Sequence, residues 1–358
     1  MTPFCIKKWK GDDILACYHP LKAFPVGLTV NGKTDYRITS YDADHVELRS
    51  DGSSVVAYDG SVSPYSVKSI REFKEIPCGR CIGCRLAYSR QWADRCMLEL
   101  GYHEQSWFVT LTYDDFHLPL SESLDVDTGE IVSSATLVKR DVQLFMKRLR
   151  KYYQYDNPIR YFCAGEYGSQ TYRPHYHIII FGLKLDDLQV YKRSLDGYNY
   201  YVSDFLNKCW KKGYVVVGQV NWDTCAYTAR YIMKKQYGSA ASVYEKYNIV
   251  PEFTLMSLKP AIGRLYYDDH KDELYKSDYI YVSTPEGSHQ IRPPRYYDKL
   301  FDIDYPSDFE KIKAFREEFC DDMKVLKLQS TSMPYLSMLE TEELVKMSQI
   351  SALKRKEF

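Results

Sequence analysis

The apolar positions of this 358-residue chain recur with readable periods. In KRDVQLFMKRLRKY (139–152), Val142, Phe145, Met146 and Leu149 fall at i, i+3, i+4 and i+7, which predicts an amphipathic helix with one apolar stripe. SWFVTLTY (106–113) alternates with the two-residue period of a strand. IRYFCAGE (159–166) and HYHIIIFG (175–182) are strand-length apolar runs joined by a turn from Gly168 to Pro174, and YVVVGQV (214–220) predicts a further strand. Residues 85–104 predict a helix with Leu86, Ala93, Cys96, Met97 and Leu100 roughly on one side. A polar helix is expected over 200–211, and another helix over about 224–237, ended by Gly238. Residues 120–136 form a polar loop or hairpin around Asp127-Thr-Gly129. Residues 1–76 read as short strands punctuated by Asn31-Gly32, Asp51-Gly52 and Asp59-Gly60. Beyond residue 250, prolines at 251, 260, 293 and 294 break the pattern, and 306–328 again looks helical.

The order strand, helix, strand, strand, strand, helix predicts an α+β domain with a central antiparallel sheet flanked by helices. A small N-terminal β-rich segment precedes it. The expected division is 1–104, 105–250 and 251–358. No internal repeat or low-complexity tract interrupts it.

Composition narrows the function classes. The formal net charge is zero, which argues against a protein that coats nucleic acid in bulk and allows a docked, site-specific contact. Basic charge is local: residues 139–151 carry six basic side chains and one acidic. Lys147, Arg148, Arg150 and Lys151 are expected on the outer surface of that helix, either simply solvated or clamping a single-stranded backbone. The 34 tyrosines against 15 phenylalanines fit either a biased genome or rings and hydroxyls used on bases and phosphates. No run of about 18 apolar residues predicts a membrane span, and the N-terminus has no signal-peptide core.

The ten cysteines include Cys78-x2-Cys81-x2-Cys84, with Gly79 and Gly83 allowing tight turns. In a cytosolic chain this spacing points to a metal. In an iron–sulfur run the fourth cysteine would fall at Tyr88, so zinc is the better match. Cys17 and Cys96 are candidate fourth ligands. A helix starting after Cys84 would carry Cys96 roughly 18 Å away at about 1.5 Å per residue, which favours Cys17. The site's role would be structural.

His175 and His177 alternate along an apolar run, so on a strand two imidazoles share one face, as a metal requires. Tyr227 and Tyr231 are four apart and stack on one side of a helix. A phenol near pKa 10 needs activation to act as a nucleophile. Arg230 follows Tyr227 by three residues, and Lys234 follows Tyr231 by three. Glu166 ends the strand that turns into the histidine strand and is the best candidate for a third ligand. A metal that grips a phosphate beside two phenols suggests tyrosine-based DNA cleavage and rejoining.

His-hydrophobic-His followed by Tyr-x-x-Lys resembles the HUH endonucleases, which initiate rolling-circle replication. The two-tyrosine form is similar to the initiators of the Microviridae. CYHPLKAF, IPCGRCIGCRLAYSRQWADRC, FVTLTYDD, RDVQLFMKRLRK, GEYG, ARYIMKK, PEFTLMS and PPRYYDK resemble the gokushovirus subgroup, in that order over roughly residues 15–300. The resemblance implies an HUH-type sheet carrying the histidines, with the nucleophile helix beside it. It implies Mg²⁺ or Mn²⁺ at the site; imidazole ligands suit Mn²⁺ better. It implies single-stranded and supercoiled phage DNA at the origin as substrate, in the host bacterial cytoplasm. The first tyrosine would take the 5′ phosphate, and the second would cut the regenerated origin so that the displaced strand closes into a circle. The family pattern has Lys where this chain has Arg230, which keeps the charge and cannot give up a proton. No Walker motif is visible, so a host helicase, with a host polymerase, is expected. An HUH transposase or relaxase, or a zinc-stabilised nucleic-acid-binding protein without catalysis, are the alternatives.

Overall fold

Seven strands pair antiparallel in the order Gln189–Arg193, Asn199–Val202, Gly213–Gln219, Ser106–Tyr113, Pro174–Phe181, Arg160–Tyr167 and Phe253–Met256. This is the central sheet of a computed structural model that describes residues 17–125, 128–193, 197–230, 235–284 and 287–352. The fold is mixed α and β with a large antiparallel sheet flanked by helices, as the period of the apolar positions predicted.

The sheet separates two cores because successive side chains point to opposite faces. On one face, Val109, Leu111, Tyr113, Ile178 and Ile180 pack against helix Lys139–Tyr152 through Val142, Phe145, Met146 and Leu149. All four helix residues are essentially inaccessible, so each contributes roughly 1.5–3 kcal/mol of burial. On the other face, Phe108, Phe162, Ile179 and Phe181 meet Trp92, Ala93 and Cys96 of helix Ile82–Leu100 and Cys225, Ala226 and Ala229 of helix Trp222–Arg230. A third core, with Tyr267, Leu274, Tyr297 and Phe301 at its centre, lies among residues 264–312.

The chain divides into two compact units. The described residues of 88–319 form the unit just outlined. Those of 17–87 and 320–352 form the other. In that second unit two three-stranded sheets surround Phe24, Ala43, Val46 and Ile70. Glu75 accepts from Lys324 Nζ and Tyr335 Oη, both at 2.6 Å, and Glu343 accepts from the backbone N–H of Ile82 at 3.3 Å.

Three expectations change. Residues 200–211 are not one helix: Asn199–Val202 is a strand and Asp204–Trp210 the helix, capped by Ser203, whose hydroxyl accepts from Leu206 N–H. Strand Gln189–Arg193 has every residue exposed, so no apolar period marks it. The tyrosine helix is helical from Trp222 to Arg230, and residues 235–237 are not, which is earlier than an end at Gly238.

Candidate active site

Register builds the site. Glu166 pairs with His175, His175 with Thr112, and Thr112 with Tyr214. In the next row toward the sheet interior, Ala164 pairs with His177, His177 with Thr110, and Thr110 with Val216. Alternation then puts His175, His177, Glu166, Thr110, Thr112 and Tyr214 on the face that carries helix Trp222–Arg230. Tyr176, between the histidines, points the other way into the first core.

His177 is tightly held. Its Nδ1 lies 3.1 Å from the Thr110 hydroxyl and its Nε2 3.0 Å from Glu166 Oε1. Phe108 stacks on its ring at 5.6 Å and 7°. His175 is more open, with Nδ1 3.2 Å from the Thr112 hydroxyl. A Cβ at Gly168 would come within 3.2 Å of His175 Nε2, so glycine there leaves room for the ring. Each imidazole therefore has a threonine at Nδ1. When Nδ1–H is donated to that hydroxyl, Nε2 presents a lone pair, the arrangement that orients metal-binding histidines.

Helix Trp222–Arg230 is aimed by a reciprocal cap: Asn221 Oδ1 accepts from Thr224 N–H at 2.8 Å, and Asn221 N–H donates to Thr224 Oγ1 at 2.9 Å. Small residues, Ala226 and Ala229, bring the helix close to the sheet. Tyr227 then lands edge-on to His177, with centroids 5.5 Å apart at 80°, and beside Phe108 at 6.0 Å and 74°. It is half-buried, and Arg230 is exposed. Tyr231 and Lys234 lie outside the described residues. The structure thus brings His175, His177, Glu166 and Tyr227 together.

Two imidazoles and a carboxylate fit a divalent ion as donors, Mn²⁺ better than Mg²⁺. In this structure Glu166 bonds His177 Nε2 directly, so an ion would take the place of the proton between them. Among the described residues, the four-cysteine group is the one His/Cys/Asp/Glu cluster with all its ligand atoms within 4.8 Å of one another.

Tyr176, the remaining tyrosine of the motif, is a core residue. Its hydroxyl accepts from Val138 N–H at 2.8 Å and lies 3.0 Å from Tyr113 Oη, which donates to Asp141 at 2.7 Å. Burial pushes both phenols well above their usual range, which removes them as nucleophiles.

The basic helix does not clamp DNA at the site, because it packs on the sheet face opposite the histidines. Arg148 donates from Nε to Cys209 O at 2.5 Å and from Nη2 to Trp210 O at 3.1 Å, capping the C-terminus of the short helix. Arg150 donates to Ile159 O at 3.3 Å. Lys147 and Lys151 are exposed. The sequence showed the stripe of cations but not which side of the sheet it would cover.

In the second unit, Cys17, Cys78, Cys81 and Cys84 converge, with Sγ–Sγ distances of 4.0 Å for Cys17–Cys81 and for Cys78–Cys84. A tetrahedral ion with bonds of about 2.3 Å would set its sulfurs roughly 3.8 Å apart. Backbone N–H groups feed the sulfurs: Cys78 N–H to Cys17 at 3.2 Å, Cys81 N–H to Cys78 at 3.3 Å, and Tyr18 N–H to Cys81 at 3.4 Å. Hydrogen bonds from the Cys17 and Cys84 thiols, with those backbone donors, hold Cys81 well below the usual thiol range. Gly79, at φ +73°, makes the turn between the first two ligands. This donor set fits zinc. Cys96 is buried in the core behind the tyrosine helix.

Sequence reasoning missed Thr110, Thr112, Phe108, Gly168 and Tyr214. A signal existed for the threonines: Thr-x-Thr in VTLTY repeats the two-residue period of His-x-His.

A family profile described as replication-associated protein ORF2 matches residues 106–236. The chain is 34% identical over 266 residues to replication-associated protein ORF2 of Spiroplasma virus 4, spanning 73% of this chain and 79% of that protein. It is 31% identical over 244 residues to replication-associated protein VP4 of Bdellovibrio phage phiMH2K, covering 66% and 71%. To replication-associated protein ORF4 of Chlamydia phage 1 it is 34% identical over 167 residues, covering 45% and 38%. No solved structure matches.

Proposed function

From its membership of the family of phage replication-associated proteins, to which this chain belongs, we propose that it initiates replication by nicking the phage origin through a covalent 5′-phosphotyrosine. The observation that carries the reading is the contact of Tyr227 with His177 on the face shared with His175 and Glu166.

Tyr227 Oη attacks the scissile phosphorus. The P–O3′ bond breaks, the phenol loses its proton and the 3′ oxygen gains one. One phosphodiester is exchanged for another, so the step is reversible and the strand can be rejoined. His175, His177 and Glu166 would hold Mn²⁺ or Mg²⁺, which supplies charge neutralisation at the phosphate. Thr110 and Thr112 fix the two rings, and Arg230 places a permanent positive charge one helical turn from Tyr227. Tyr231 would act as the second nucleophile, with Lys234 beside it. It would cut the regenerated origin while Tyr227 still holds DNA, and the displaced strand would close into a circle. The exposed ring of Tyr214, two strands from His175, offers a stacking surface to a base next to the nick.

The four cysteines would hold a structural zinc. In this reading residues 105–250 carry the chemistry, 1–104 supply the zinc-bearing segment and 251–358 form an extension. Substrates are single-stranded and supercoiled phage DNA in the host bacterial cytoplasm. A host helicase unwinds, and a host polymerase extends the freed 3′-OH. No helix among the described residues is long and apolar enough to cross a membrane. The test is a protein–DNA adduct on an origin oligonucleotide, formed with Mn²⁺ and absent in chelator; a non-catalytic binding protein would give none.

A further inference from the structure

At the end of the sheet away from His175, the segments around Gln105, Asn157, Gly182 and Ser257 line one cleft of about 790 Å³. Five basic groups face it: Arg150, Arg160, Lys184, Lys259 and His103. Two of these are committed to the fold. Arg160 lies 2.6 Å from the fully buried Glu99 and donates to Pro260 O at 2.7 Å, and His103 Nε2 is 3.0 Å from the same carboxylate.

The other three have no carboxylate partner among the described residues. Arg150 meets a carbonyl, Ile159 O, and the Tyr161 ring at 5.6 Å. Lys184 stands over the Tyr155 ring at 4.7 Å. Lys184 and Lys259 are exposed. A single carboxylate, Glu104, lines the cleft among the described residues. Three uncompensated cations against one acid in a concave site focus positive potential. The chain as a whole has zero net charge, so this excess is placed and not a by-product of a basic protein.

We infer that this cleft is a second phosphate-backbone site, which holds the DNA flanking the nick. The inference rests on the nicking reading above. Gly182 is seven residues along the strand from His175, roughly 23 Å at about 3.3 Å per residue. At about 3.4 Å per phosphate in a duplex strand, that is about seven steps from the cleavage point, beyond the reach of the catalytic residues. The ligand is a phosphodiester backbone, single-stranded or duplex.

The experiment compares the full-length protein with the double variant Lys184→Gln/Lys259→Gln, two exposed changes, and with a control, Lys147→Gln/Lys151→Gln. Binding is measured against salt for a fluorescent 40-nucleotide single strand and a 40-base-pair duplex carrying the origin. Loss of two contacts should lower the slope of log K against log salt by about 1.4 on single strand, or about 1.8 on duplex. Affinity should fall at least about tenfold at low salt. A change confined to one probe identifies the flank as that form. An unchanged slope on both probes overturns the inference, and so does an equal change in the control, which would mean bulk charge alone. Adduct formation by the wild-type protein is scored in parallel. Its absence would sink the nicking reading and leave the slope comparison interpretable.

Discussion

His177 and Glu166 share a hydrogen bond of 3.0 Å beneath the ring of Tyr227. The pair joins neighbouring strands, and the Glu166 carboxylate reaches past its own register partner, His175, to the next histidine. If an ion takes the place of the proton between them, removing both rings should end the chemistry. His175→Ala with His177→Ala is expected to abolish nicking and leave the circular dichroism spectrum unchanged. Normal nicking by this variant would refute the assignment.

Thr110 acts only through His177. Thr110→Val keeps the shape and removes the hydroxyl 3.1 Å from Nδ1. Mn²⁺ affinity, measured by titration calorimetry, should fall about 10–100-fold, the usual effect of losing a histidine's outer partner. Unchanged affinity would show that the threonine does not orient the ring.

At Gly168 an added methyl would stand 3.2 Å from His175 Nε2. Gly168→Ala should therefore lower nicking at least about tenfold while the melting temperature moves little. A large fall in melting temperature with normal activity per folded molecule would point to a purely structural glycine.

The cysteine cluster predicts about one zinc per chain by elemental analysis, the stoichiometry of a closed four-ligand site. Cys81→Ser should lose the metal and unfold more readily, with the remaining folded protein still forming adduct. Zinc-free protein from a chelator-free preparation would argue directly against the site.

Asp94 gives the pH dependence. It is buried in helix Ile82–Leu100, and desolvation raises its carboxyl from 3.8 to about 7, with Arg90 partly offsetting the rise. The unfolded chain releases this proton near pH 4 and the folded chain near 7. Between those values the folded state binds more protons, so stability falls as pH rises. At about 1.4 kcal/mol per unit the fall is at most about 4 kcal/mol. Asp94→Asn should flatten the denaturant-derived stability profile between pH 4 and 7. An identical slope in the variant would exclude Asp94 as its source.

How much of this was legible follows from where the information lies. Helix Lys139–Tyr152 and strands Ser106–Tyr113 and Pro174–Phe181 carry their period within a few residues, so sequence reasoning found them. The convergence of Cys17 on the Cys78–Cys84 turn needed only the helical rise to exclude Cys96. Strands Gln189–Arg193 and Asn199–Val202 lie at the outer end of the sheet and lack a strand-like apolar repeat, so a polar helix was read across the second. Helices Arg264–Leu274 and Arg295–Asp304 were hidden among prolines and tyrosines. The threonine–histidine pairs depend on the register between strands more than 60 residues apart, and the side of the sheet taken by the basic helix depends on the whole topology. Neither is a local property of the sequence.

Mapping the DNA-linked peptide tests the central claim most directly. The protein is trapped on an origin oligonucleotide with Mn²⁺, digested, and the modified residue located by mass spectrometry. The account predicts attachment at Tyr227 or Tyr231 in the wild type, at Tyr227 alone in Tyr231→Phe, and none in the double Tyr→Phe variant. Attachment at another tyrosine, such as Tyr237 or the exposed Tyr172, or an adduct that survives loss of both, would contradict it.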